Sequence, residues 1–153
     1  PNHKLTEPWR FLVAGKQTRT KLGQVAEIIA REKAGNIPEP ELKALVAKQI
    51  SKVADVPGLV IITNRLSPQD AFREREDYAA SVCALHNLVL ALWAEGIGAQ
   101  WSTGRMTRHP DALSILGINP ENEECIGFLK VGYPETVPDT RRRPLDEVVQ
   151  YLD

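Results

Sequence analysis

The 153-residue sequence has no excess of either charge: 19 Lys and Arg face 20 Asp and Glu, leaving a net −1. That balance argues against a general nucleic-acid binder or a polybasic membrane-surface protein. No uninterrupted apolar run reaches the roughly 18 residues of a membrane helix, and no stretch reads as a secretory leader. Cysteine is scarce. Cys83 and Cys125 alone cannot build a disulfide framework, so a reducing cytoplasm is the expected compartment. His3, His86 and His109 are widely separated, and no His-x-x-x-His or Cys-x-x-Cys spacing offers a metal site. Nucleophilic catalysis also lacks support, because Cys83 lies in an apolar stretch and Cys125 at a strand start, where buried thiols are ordinarily inert. An initiator Met is missing as well, and with Pro1 in first place an N-terminal piece is expected to be absent.

What remains is enough for a core. Hydrophobic residues make up 42% and charged residues 25%, which suits one domain over residues 1–153. After a polar, Pro-bounded loop ending at Pro8, Trp9 to Val13 reads as a short strand. Leu22, Val25, Ile28 and Ile29 recur at helical spacing between about Gln17 and Lys33, with Gly35 as the stop. A second helix is expected over 40–53, opened by Pro40. Leu59 to Thr63 is a β-branched run of the kind covered on both faces. Ser67-Pro68-Gln69-Asp70 looks like a helix start, opening a helix that reaches Glu95, about 40 Å long. Its second half is apolar almost all round, so it is expected to be buried on every side, as a core helix or against a second subunit. His86 within it reads as a hydrogen-bonded core or interface residue. Short strand, short helix and strand follow over 99–102, 110–116 and 125–133, and the tail after Pro144 is open to helix or extended structure. Glu121, Glu123 and Glu124 read as a solvated loop. The order makes an α+β domain.

Gly96, Gly98 and Gly104 invite a dinucleotide-binding reading, but they follow a helix and precede a strand, the reverse of that fingerprint. Three other features are less easily explained as scaffold. His3 stands in a polar loop with no evident structural need. Trp101-Ser102-Thr103-Gly104 places donors and a glycine at a strand end, where ligands often meet backbone. Arg141-Arg142-Arg143 concentrates guanidinium groups that match phosphate oxygens.

Taken in order, these features resemble the FMN-dependent nitroreductase family, especially its compact bacterial branch. The resemblance is carried by Pro1-Asn2-His3-Lys4 with Glu7-Pro8-Trp9-Arg10-Phe11, by Asp77 to Ser81, and by Gly96 to Gly104. Gly127 to Pro134 and Arg142-Arg143-Pro144-Leu145 complete the set. It implies a central mixed or antiparallel sheet flanked by helices, in an interlocked homodimer whose two FMN sites use both subunits. Asn2 and His3 match a loop that reaches the neighbouring subunit's flavin. Trp101, Ser102 and Thr103 match the segment bordering the isoalloxazine, and Arg142, assisted by Arg141, matches the arginine that grips the FMN phosphate. An Arg-Arg-Ser segment that the family carries nearer its N terminus has no counterpart here.

The implied activity is hydride transfer from NAD(P)H to FMN, then reduction of a small-molecule acceptor, a nitroaromatic, a quinone or similar. No side chain need act as nucleophile or obligatory acid, so no catalytic residue is assigned. Dehalogenation and oxygen-dependent flavin fragmentation are alternatives on the same fold, and a flavin-binding or structural dimer without turnover is another.

Overall fold

The computed structural model describes residues 2–152; Pro1 and Asp153 lie outside them. Four strands, β1 (Trp9–Val13), β2 (Gly58–Arg65), β3 (Gly98–Ser102) and β4 (Glu123–Gly132), form one sheet in the order β1-β2-β4-β3. Every neighbouring pair is antiparallel. Helices α1 (Lys16–Ala34), α2 (Glu39–Ala54), α3 (Ala71–Ala94) and α4 (Pro110–Leu116) make it the α+β fold expected.

The side-chain period of two explains the layering. Leu59 and Ile61 of β2 and Phe128 of β4 turn to one face, where Leu22, Val25, Val53 and Ala112 from α1, α2 and α4 complete a core. Ile62, Ile126 and Leu129 turn to the other and pack on Leu85, Leu88 and Leu92 of α3. The β2 run is therefore covered on both sides, as its unbroken apolar character required.

The long helix begins later than expected. Pro68 lies in a turn closed by the Asp70 N–H donating to the Ser67 carbonyl at 2.9 Å. Asp70 then caps α3, its carboxylate accepting from the Arg73 N–H at 3.0 Å. An Asp at the cap outcompetes a Ser three residues upstream whose following Pro suits a turn equally well. Nor is the second half of α3 enclosed within the chain. Leu85 is buried, but Leu90 and Trp93 are 54% and 52% exposed and His86 is exposed rather than in the core. The helix is long and apolar enough, by length and composition, to cross a membrane, and only 22% of that stretch is buried.

Strand β4 starts two residues early because β2 extends to Arg65 and pairs with it there. Glu123 and Glu124 are thus half-buried strand residues rather than a solvated loop. Arg10 and Thr63 bond to Glu123, and the Asn64 amide donates to Glu124 at 3.1 Å. Beyond Gly132 the tail is irregular and exposed, apart from one short turn at Leu145–Glu147.

Candidate functional site

The loop before β1 is held in an unusual shape. Lys4, Leu5 and Glu7 have φ of 57°, 52° and 43°, left-handed values that cost any residue with a Cβ. The Asn2 Oδ1 accepts from the Thr6 backbone N–H at 3.2 Å and lies 2.8 Å from its hydroxyl. Its Nδ2 is enclosed and has no partner among the described residues. His3 is exposed, and its Nδ1 is bonded to Glu76 of α3. In a neutral ring the nitrogen facing a carboxylate is the donor, so Nε2 is left as an acceptor.

At the other edge of the sheet, the Trp101 indole lies against Gly127. A Cβ on Gly127 would stand 1.9 Å from the indole nitrogen, so only glycine allows the ring to rest there. The register slips between Ile62 and Thr63, so β4 carries one extra residue, Ile126. A bulge disturbs the ladder locally, and here the Ile126 carbonyl accepts from the Trp101 indole N–H at 3.1 Å. Trp101 is therefore committed to its own sheet through its only polar atom.

Strand β3 is an edge strand, with alternate backbone N–H and C=O groups facing outward. A cleft of about 830 Å³ runs along this edge, from Lys52 on α2 past Gln100, Ser102 and Lys130 to Val89, Leu90 and Trp93 of α3 and the tail at Tyr133 to Pro138. A smaller cavity of about 270 Å³ between α1, α2 and the sheet shares Lys52, Ser102 and Lys130 with it. Ser102, Lys52 and Lys130 thus contribute to the walls of both. The Lys130 ammonium lies 3.5 Å from the Gln100 amide oxygen. Burial, with the Lys52 charge adding to it, holds its pKa below the usual lysine range. Such a pair gains from a guest that brings electron density or negative charge. Thr103 lines a third cleft, of about 370 Å³, with Tyr78, Arg108 and Cys125.

Lys52 and Lys130 were not singled out by spacing. Lys130 left a trace, a single charge inside the apolar run Phe128-Leu129-Lys130-Val131; Lys52, in the last turn of α2, left none. Arg141 and Arg142 are exposed in the tail and make no ion pair among the described residues. Within one chain the loop at Asn2 and His3, the strand end at Trp101 to Thr103, and the tail arginines share no hydrogen bond among the described residues.

Comparison with known proteins supplies the frame. The model of the nitroreductase family matches residues 1–133. The chain belongs to the nitroreductase family. Arg141 and Arg142 lie beyond the matched stretch. A provisionally named NAD(P)H nitroreductase of Bacillus subtilis is 26% identical over 144 residues, covering 94% of this chain and 71% of its own length. Human iodotyrosine deiodinase 1 is 27% identical over 161 residues, covering 97% of this chain and 55% of its own. Among solved structures, a nitroreductase-like protein from Bacillus cereus superposes with a TM-score of 0.79 at 24% identity, covering 99% of this nitroreductase-family chain and 77% of that one. A Desulfovibrio desulfuricans structure in complex with FMN reaches 0.69 at 19% identity, covering 100% and 77%.

Proposed function

We propose that this chain is an FMN-dependent oxidoreductase that works as a homodimer. It takes hydride from NADH or NADPH and delivers electrons to a nitroaromatic, a quinone or a similar small acceptor. The observation that carries the reading is the cleft along the free edge of β3, whose walls include Ser102, Lys52 and Lys130. Its size lies within the range of cofactor sites, and its walls combine apolar side chains with few polar groups. These residues fit a flavin. The outward backbone of β3 and the Ser102 hydroxyl suit the ring's alternating donors and acceptors, and the two ammonium groups favour an electron-rich edge, whereas Thr103 lines a separate cleft. Arg142, with Arg141, suits the phosphate, since a guanidinium makes bidentate, charge-assisted bonds to it.

Bound FMN would supply the hydride and electron chemistry, in two half-steps that share one pocket. The protein's part is to bind, orient and exclude water; positioning of this kind is worth several kcal/mol of barrier. No catalytic residue is assigned.

What one chain leaves uncovered supports the dimer reading. Leu90 and Trp93 on α3, and Tyr133, Leu145, Tyr151 and Leu152 on the tail, are large apolar residues open to solvent. A second copy of this chain over α3 would bury them and bring the loop at Asn2 and His3 toward the neighbouring cleft. This reading also accounts for the apolar length of α3 without a bilayer.

The test is the colour of the purified protein and its response to NADH or NADPH without oxygen. Flavin absorbance that bleaches on mixing is expected; bound flavin that never bleaches would leave a store without turnover. The similarity to iodotyrosine deiodinases favours one alternative, reductive dehalogenation. Halide release from a halogenated phenol, with no turnover of nitroaromatics or quinones, would select it.

A further inference from the structure

Asp77 is 3% exposed at the second turn of α3, yet the electron-transfer reading gives it no task. Its nearest polar neighbour is not on the helix. Thr6, in the loop before β1, bonds through its hydroxyl to Asp77 Oδ1 at 2.5 Å. Arg73, one turn earlier, stands 3.5 Å from Oδ2. The adjoining Glu76 holds His3. Two neighbouring acids on one helix therefore grip two residues of the same short loop.

That loop needs gripping. Lys4, Leu5 and Glu7, none of them glycine, all sit at positive φ, and such a backbone persists only where its surroundings over-determine it. Thr6 is the centre of the restraint. Its backbone N–H can only donate, so the Asn2 atom facing it is Oδ1, which fixes the amide's orientation. The Thr6 hydroxyl gives its single proton to the Asp77 carboxylate, while the backbone N–H of the same residue holds the Asn2 oxygen. Asn2 is left with Nδ2 as its one uncommitted donor.

We propose that Asp77, acting through Thr6, is a positioning residue that holds loop 2–7 in the shape with which Asn2 and His3 meet the cofactor. The proposal rests on the flavin reading given above. It adds that loop geometry is set from α3, the same helix whose outer face is offered to a second copy, so that assembling the pair and shaping the loop depend on one element.

The experiment compares wild type with Thr6→Val, which removes the hydroxyl at nearly constant shape, and with Thr6→Ser, which keeps it. Two measurements are made: FMN affinity of the apoprotein by fluorescence titration, and the rate of tryptic cleavage after Lys4. Thr6→Val is expected to bind FMN at least tenfold more weakly, the usual consequence of losing a hydrogen bond to a charged group, and to be cut faster at Lys4. Thr6→Ser is expected to restore both, and Asp77→Asn to fall between. Thr6→Val with wild-type affinity overturns the proposal, whether or not cleavage changes. A wild-type protein that takes up no FMN overturns the flavin reading instead; unchanged cleavage of Thr6→Val in that protein would overturn the latch as well.

Discussion

At the scale of single residues, Cys125 shows how packing decides reactivity. Burial, reinforced by Glu123 and Glu124, pushes its thiol up from 9.0 to about 11. At pH 8 the thiolate fraction is then on the order of one in a thousand, and only the thiolate attacks. Native protein treated with iodoacetamide at pH 8 should leave Cys125 unlabelled, and unfolding should expose it; peptide mass spectrometry reads both. The shift also sets the direction of a stability change. Below pH 9 both folded and unfolded chains hold the proton. Above it the unfolded chain releases the proton first, so stability falls as pH rises through 9 to 11, by up to about 2–3 kcal/mol. Denaturant melts across that window, compared with Cys125→Ala, isolate the effect. Arg142→Ala belongs to the same scale. Losing one charge-assisted partner of a phosphate costs about 1.5–3 kcal/mol, so FMN dissociation constants should rise ten- to hundredfold, and an unchanged constant would remove Arg142 from the site.

At the scale of elements, a polar thread ties α3 to two strands on one face of the sheet. Ser81 of α3 donates to the Asn64 side-chain oxygen of β2 at 2.8 Å, and the Asn64 amide donates to Glu124 of β4 at 3.1 Å. Ser81 and Asn64 are both fully enclosed. Ser81→Ala strands the Asn64 oxygen where water cannot replace the bond, an expected cost of about 1–3 kcal/mol in urea melts. Legibility also divides at this scale. Strands and helices with a strong apolar period, such as α1 and β2, could be read from sequence because burial enforces the period. What could not be read depends on partners distant in sequence. Glu123 and Glu124 look like solvent-facing acids until Arg10, Thr63 and Asn64 arrive from other strands. Ser67 reads as the start of α3 until the turn at Pro68 is closed and Asp70 takes the cap. Lys52 joins Ser102 and Lys130 only because α2 lies across the sheet. Of the residues the sequence singled out, Ser102 lines the cleft at the edge of β3, whereas Arg141 and Arg142 stand exposed in the tail, away from it.

At the scale of the molecule, the outer face of α3 is the feature to challenge. If a second copy covers it, light scattering should give twice the chain mass, and Leu90→Asp should halve that mass by placing a carboxylate in an apolar contact. The same variant should also lose flavin affinity, because Leu90 lines the cleft itself. A dimeric Leu90→Asp protein would move the contact elsewhere.

The indole of Trp101, pinned by one hydrogen bond and a missing Cβ, makes the molecule its own spectrometer. A ring that cannot reorient keeps a fixed distance and angle to whatever settles at the neighbouring strand edge, so its emission should dim in proportion to the sites filled. Gly127→Ala, by evicting the ring, should blunt that signal even where binding survives.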